Sequence, residues 1–405
     1  MNNYPITKIE AEEILDSRNN PTIKVTVYTE VASGSFSVPS GASTGAHEAF
    51  ELRDEDKKGV VNVIKNINEI ISPTLIGQNI CDQKNIDNLM CELDGTPQKT
   101  RLGGNAIIGV SIACAKVAAK SSNLEVYEYL KTLANIKVSR INPLLYMNLI
   151  NGGKHAKNDL AFQEYHIVPF VEDLSEAVEI GIKIQNYLEK IIETELGKEE
   201  LVLGDEGGFA PHVENIKKPL TYFTQAIKEN GLEGKVRLAL DVAASSFYNN
   251  GEYFVDGKNI SKDELLNIYK GLIEEFDLLS IEDPFNEEDF EGFEKIKNES
   301  GIYILGDDLT VTNKVLLQKA IDKNSINAMI IKPNQIGTLS ETLETMKLAR
   351  DNNVELVISH RSGETDDDFI ADLAYAFGCF GIKSGSPKKS ERMIKYQRLI
   401  NISRK

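Results

Sequence analysis

Two hydrophobic periodicities alternate along the chain. Residues 22–28, TIKVTVY, alternate polar and apolar positions and predict a strand with one buried face, whereas residues 105–120, NAIIGVSIACAKVAAK, carry apolar side chains at helical spacing. Their mixture over about the first 130 residues predicts a small α+β unit. From RINPLLYMNLI, residues 140–150, short apolar runs alternate with amphipathic stretches at intervals of roughly 25 to 40 residues, the rhythm of a β/α barrel or a doubly wound sheet. SKDELLNIYKGLIEEF opens on the capping box Ser261 and Glu264 and sets Leu265, Ile268, Tyr269, Leu272, Ile273 and Phe276 on one face. After Gly337, Thr338 and Glu341 repeat that spacing ahead of the stripe Leu339, Leu343, Met346. No linker rich in Gly, Pro or Ser separates the halves, so two domains, residues 1–136 and 137–405, are predicted to pack together.

The ends of the apolar runs carry the chemistry. VRLALD ends at Asp241, LLSIED brings Glu282, IYILGDD brings Asp307, INAMIIK brings Lys332, and ELVISH brings His360. A lysine closing a buried strand is costly unless it is paired or reaches water. In a β/α barrel the C-terminal strand ends meet at one mouth, where the catalytic groups of that architecture collect. Three carboxylates without Cys or His form a hard oxygen set suited to Mg²⁺. A lysine beside such an ion is predicted to lose its charge and act as a general base.

Composition narrows the class. Apolar residues make up 41% of the 405 residues, and no run approaches the roughly 18 that a membrane span needs. The amino terminus has no basic start followed by an apolar core, so a soluble, cytoplasmic protein is expected. The net charge of −17 repels nucleic acid and anionic membranes, and leaves small anions as ligands only where cations are concentrated. Cys81, Cys91, Cys114 and Cys379 lack the spacing of a zinc site or a disulfide framework.

The segments SVPSGASTGAHEAFELRDED, NGGKHA, FQEY, LGDEGGFAP, SIEDP, GDDLTVTN, IKPNQIGTLSET and SHRSGETDDDFIADLA occur in one order across most of the chain, and together they resemble the enolase (phosphopyruvate hydratase) family. The resemblance implies an eight-stranded α/β barrel with an irregular start behind an α+β capping domain. It implies Mg²⁺-dependent, reversible dehydration of 2-phosphoglycerate to phosphoenolpyruvate. By motif position, Lys332 resembles the base at carbon 2, Glu206 the acid at the carbon 3 hydroxyl, and Glu164 its support. Asp241, Glu282 and Asp307 match the ligands of a first Mg²⁺, and Ser40 a ligand of a second that arrives with substrate. Arg361 and Ser362 are implied for the phosphate, Lys383 for the carboxylate, and His155, Gln163 and His360 for the walls of the site.

Two departures stand out: Asn19 replaces a glycine of SRGNPT, and Ser246 stands where glutamate is common. Asparagine tolerates the left-handed backbone that a glycine adopts, so Asn19 is predicted to preserve the turn. The family also implies a homodimer or larger homo-oligomer. Its arginine to glutamate contact is exchanged here as Glu12 and Arg404, and Lys24 and Asn401 stand at a second contact. Two other readings remain at this point: a related acid-sugar dehydratase, and a non-catalytic or surface-displayed binding protein on the same fold.

Overall fold

The computed structural model describes residues 3–41, 45–55 and 58–405. Residues 42–44, within the SGAST segment, therefore lie outside the described residues. The chain begins with an antiparallel sheet, β1 (Lys8–Leu15), β2 (Pro21–Tyr28) and β3 (Ser33–Ser37), in that order. The predicted alternation in β2 holds, with Ile23, Val25 and Val27 buried. The helix Gly104–Ser121 crosses this sheet and is buried on nearly every side. Its small residues allow that fit, since a Cβ added at Gly109 would lie 2.8 Å from Val25 and 3.1 Å from Val38. The turn between β1 and β2 places Asn19 at φ 60°, the left-handed backbone expected of it.

The remainder closes into an eight-stranded barrel. Its strands are β4 (Leu144–Asn151), β5 (Glu164–Pro169) and β6 (Val236–Asp241), then, beyond a small meander of β7 (Tyr248–Asn249), β8 (Glu252–Val255) and β9 (Lys258–Ile260), β10 (Leu278–Glu282), β11 (Tyr303–Gly306), β12 (Ala328–Ile331), β13 (Glu355–Ser359) and β14 (Gly381–Lys383). Neighbouring barrel strands are parallel except where β5 pairs with β4 and β6, which is the irregular start that the resemblance implies. The two predicted helices form as Lys262–Glu275 and Leu339–Asp351. Ser261 and Glu264 make a reciprocal capping box. Thr338 caps its helix, but the Glu341 carboxylate accepts from the Thr338 hydroxyl and pairs with Lys99 rather than closing the box.

Strand alternation explains why charge collects at the mouth. Leu144, Tyr146, Val168, Ala239, Leu305, Ala328, Ile330 and Val357 form an apolar plug, while their strand neighbours Leu238, Leu240, Ile304, Met329, Ile331, Leu356 and Ile358 pack outward against the helices. Because side chains alternate along a strand, the next inward positions above the plug are Asp241, Asp307, Lys332 and Ser359. β10 differs. Leu279 belongs to the plug, and a register irregularity between Leu278 and Ser280 turns Glu282 inward where strict alternation would turn it out.

The capping domain docks on the helix that follows Lys332. Ser111 Oγ accepts from the Leu339 N–H at 3.0 Å, and Asp87 Oδ2 accepts from the Ser340 N–H at 2.9 Å. The first turn of a barrel helix thus finds acceptors for its otherwise orphaned amides in a distant part of the chain.

Candidate active site

One cavity at the barrel mouth is lined by His155, Gln163, Glu164, Glu206, Asp241, Lys332, His360, Arg361, Ser362 and Lys383. Ten sequence-predicted residues therefore meet in one place, and Glu282 and Asp307 join them through the two lysines. β5 contributes by running backwards: its first residue, Glu164, pairs in register with the last residue of β6, Asp241. The cavity holds only about 20 Å³, near the space of one water.

Lys383 Nζ lies 2.7 Å from Asp241 Oδ2, 2.9 Å from Glu282 Oε1 and 3.3 Å from Glu164 Oε1. Burial lowers the pKa of this amine, but the surrounding carboxylates outweigh burial and hold it well above its ordinary value. Lys332, 13% exposed at its side chain, does not reach for water but bonds Asp307. Burial pulls its amine down too, yet Asp307 and Glu282 hold it above the ordinary value. The neutral lysine predicted from sequence is therefore not what the carboxylates alone produce; they favour the ammonium form.

The carboxylates Asp241, Glu282 and Asp307 are hard donors and fit a divalent cation such as Mg²⁺ by chemistry, with the two ammonium groups as its competitors. Two tighter groups, His155 with Glu164 and Glu206, and Asp283 with Asp307 and Asp308, each bring their candidate ligand atoms within 4.8 Å of one another.

Glu164 and Glu206 are pushed in opposite directions. Burial raises the Glu164 carboxyl, and the Glu206 charge raises it further, well above the carboxylate range. Burial alone would raise Glu206 as well, but the His360 imidazole beside it and the Arg392 charge behind it outweigh burial and hold Glu206 well below that range. Asn148 Nδ2 donates to Glu206 Oε2 at 2.9 Å, and His360 Nε2 lies 3.1 Å from Oε1. His155 Nδ1 stands between the pair, 3.5 Å from Glu164 and 3.6 Å from Glu206. The sequence reading put the retained proton on Glu206. The structure sets the two carboxyls in opposite directions, Glu164 up and Glu206 down, with His166 Nε2 2.9 Å and Lys383 Nζ 3.3 Å from Glu164 as well.

Arg361 and Ser362 are set from behind. Arg392, fully buried on the C-terminal helix Ser390–Ser403, donates to the Arg361 carbonyl at 2.7 Å and to the Ser362 carbonyl at 2.7 Å. Its Nη1 also lies 2.8 Å from His360 Nδ1. A guanidinium only donates, so Nδ1 accepts and the ring proton of the neutral imidazole belongs on Nε2, facing Glu206. Burial pulls the His360 pKa down to about 4, which keeps the ring neutral at pH 7. Arg361 Nη1 donates to Glu48 Oε2 at 2.9 Å and to Asn334 Oδ1 at 3.1 Å.

Ser40 stands apart from this cavity. Its hydroxyl donates to Asp16 Oδ2 at 2.7 Å and accepts from Arg18, while its backbone pairs with Gly363. It is thus committed to the turn that carries Asn19 rather than aimed at the carboxylates. Asn148, Glu48, Gln335 and Arg392 were not singled out by sequence. Gln335 and Glu48 lie within recognised segments, whereas Arg392 looks like one more charge on an amphipathic helix.

Comparison with known proteins agrees with this architecture. Residues 6–130 match the family model "Enolase, N-terminal domain", and residues 139–405 match "Enolase, C-terminal TIM barrel domain". The chain is 48% identical to the enolase of Methanocaldococcus jannaschii over 405 residues, covering 98% of this chain and 95% of that one. It is 47% identical to the enolase of Pyrococcus furiosus over 412 residues, covering 99% and 95%.

Proposed function

The chain belongs to the enolase family and is a metal-dependent hydro-lyase that dehydrates 2-phosphoglycerate, and we propose that Lys332 is its base and the Glu164–Glu206 pair its acid. The observation that carries this division of roles is one cavity holding an amine and two adjacent carboxyls pushed in opposite directions, Glu164 up and Glu206 down. Lys332 takes the proton from carbon 2 and becomes ammonium. The carbon 3 hydroxyl then leaves as water with a proton from the pair, Glu206 contacting the hydroxyl and Glu164 resupplying Glu206.

Asp241, Glu282 and Asp307 would hold the first cation, with Mg²⁺ the hard ion that suits them and a second arriving with substrate. Bound there, the ions supply positive charge that stabilises the developing enolate and offsets the hold of Asp307 on Lys332. Arg361 offers a planar fork to the phosphate, Ser362 lies beside it, and Lys383 faces the substrate carboxylate. His155, Gln163 and His360 wall the reacting centre against water. We place the enzyme in the cytoplasm, as a homodimer.

Lys332→Ala tests the assignment. Exchange of the carbon 2 proton of 2-phosphoglycerate with deuterated solvent should vanish while the protein stays folded. Substantial residual exchange would show that another group is the base.

A further inference from the structure

The segment IKPNQIG delivers a second polar side chain besides Lys332. Gln335, fully buried, lies in the short helical turn Pro333–Ile336. Its carbonyl oxygen accepts from the Thr312 hydroxyl at 2.8 Å, and that hydroxyl accepts in turn from the Lys332 backbone N–H at 2.9 Å. With its lone proton given to Gln335, the Thr312 hydroxyl fixes the amide: the oxygen faces Thr312, so the NH₂ must face the other way. On that side stand two carboxylates. Gln335 Nε2 donates to Asp307 Oδ1 at 2.9 Å and reaches Glu48 Oε1 at 3.4 Å. A flipped amide would press its oxygen against both negative charges.

Glu48 comes from the capping domain, is itself buried, and holds Arg361 through Nη1 at 2.9 Å and Nη2 at 3.4 Å. Its Oε1 also accepts from the Gly45 N–H at 3.0 Å. One rigid amide thus joins the carboxylate proposed for the metal to the carboxylate that orients the guanidinium proposed for phosphate. Lys332 bonds the other oxygen of Asp307, Oδ2, so the same amide also fixes the face that Asp307 turns to the base.

We propose that Gln335 is a positioning residue that couples the metal-binding and phosphate-binding halves of the site, by holding Asp307 and Glu48 in one geometry. The inference rests on the site assignments above. Glu48 acts with it: it grips both Nη1 and Nη2 of Arg361 while Asn334 holds Nη1 as well, and so sets the direction in which the guanidinium faces.

Calorimetry with Mg²⁺ alone and with inorganic phosphate alone tests the proposal, read beside thermal unfolding and the separate kcat and KM for 2-phosphoglycerate. Gln335→Met keeps the volume and removes the donors. It should weaken Mg²⁺ and phosphate binding together, each by about three- to tenfold, the scale of one buried hydrogen bond. Glu48→Gln should weaken phosphate binding and raise KM more than it lowers kcat, and its effect should shrink when Gln335→Met is already present. Thr312→Val, which frees the amide to turn, should move both affinities in the same direction and serves if Gln335→Met does not fold. Loss of only one affinity, additive losses, tighter phosphate binding in Glu48→Gln, or a lower Tm with both affinities intact would overturn it. Two controls separate this from the underlying reading. Asp307→Asn must lose Mg²⁺ binding and Arg361→Met must lose phosphate binding; if either does not, the site assignment fails rather than the coupling.

Discussion

Glu164 and Asp241 are register partners at the barrel mouth, although one begins its strand and the other ends it. Lys383 bonds both, so the reversal of β5 brings a fourth carboxylate to a set that parallel strands would have left at three.

That arrangement makes Lys383 a structural counter-ion as well as a candidate substrate contact. Lys383→Met leaves Asp241 and Glu282, with Glu164 beside them, without the ammonium that lies among them. Removing one member of a buried ion pair costs about 3–5 kcal/mol, so a clear fall in Tm is expected. Because a cation at the same carboxylates binds only the folded chain, Mg²⁺ should recover more of the Tm in this variant than in the parent. Differential scanning calorimetry with and without Mg²⁺ reads both effects.

The split between Glu164 and Glu206 predicts unequal responses to amides. Glu206→Gln removes the group placed at the leaving hydroxyl and should lower kcat by about 10²- to 10⁴-fold, the usual range for a general acid. Glu164→Gln keeps the shape of the protonated side chain already favoured there, and should cost less. Steady-state rates at saturating substrate decide this, and equal losses would contradict the opposite displacement of the two carboxyls.

Buried histidine sets an acid limit on stability. Burial pulls the His166 pKa down to about 3, from an ordinary 6.5. A group whose folded pKa is depressed stabilises the fold above its unfolded pKa, so this contribution is present at pH 7 and drains away between about pH 6.5 and 3 as the unfolded chain takes up the proton. Tm measured across that window should fall more gently in His166→Gln than in the parent.

Metal binding should follow the carboxylates. Asp307→Ala is expected to abolish Mg²⁺ binding in the absence of substrate, whereas Ser40→Ala should retain it, since the Ser40 hydroxyl is bonded to Asp16. Titration calorimetry distinguishes them, and equal losses would place Ser40 among the first ligands after all.

Assembly gives a final measurement. Within the chain Glu12 already pairs across the sheet with Lys24 at 3.3 Å, and Arg404 donates to Ser175. An exposed pair contributes only about 0–1 kcal/mol, so Glu12→Arg should weaken a homodimer less than about tenfold, and adding Arg404→Glu should restore it. Sedimentation should find a dimer at micromolar protein, and a monomer there would refute the assembly.

Much of the site was legible because strand alternation is a local property. Ala328, Ile330 and Lys332 share one face by counting, as do Ala239 with Asp241 and Leu305 with Asp307. Glu282 escapes such counting because a register irregularity intervenes. The charge states were less legible. Sequence shows a metal set beside Lys332 but not the direct bond to Asp307, and the opposite displacement of Glu164 and Glu206 depends on Asn148 and His360 standing beside Glu206 with the Arg392 charge behind them. The supports at long range left no local signal: Glu48 and Arg361 are 313 positions apart, and Arg392 and His360 are 32 apart with a helix and β14 between them.

The docking of Asp87 and Ser111 on the helix after Lys332 bears on how the molecule is made. Those contacts span 253 and 228 positions, and the Glu48 clamp on Arg361 spans still more. A chain that leaves the ribosome amino end first completes its capping sheet early, then carries those acceptors without their barrel donors until most of the barrel has been synthesised. The candidate site therefore comes into being late, in the last stretch of translation, and a nascent chain cut short before residue 340 would have a cap and most of a barrel but would lack Arg361 and Ser362, the pair proposed for the phosphate, and Lys383.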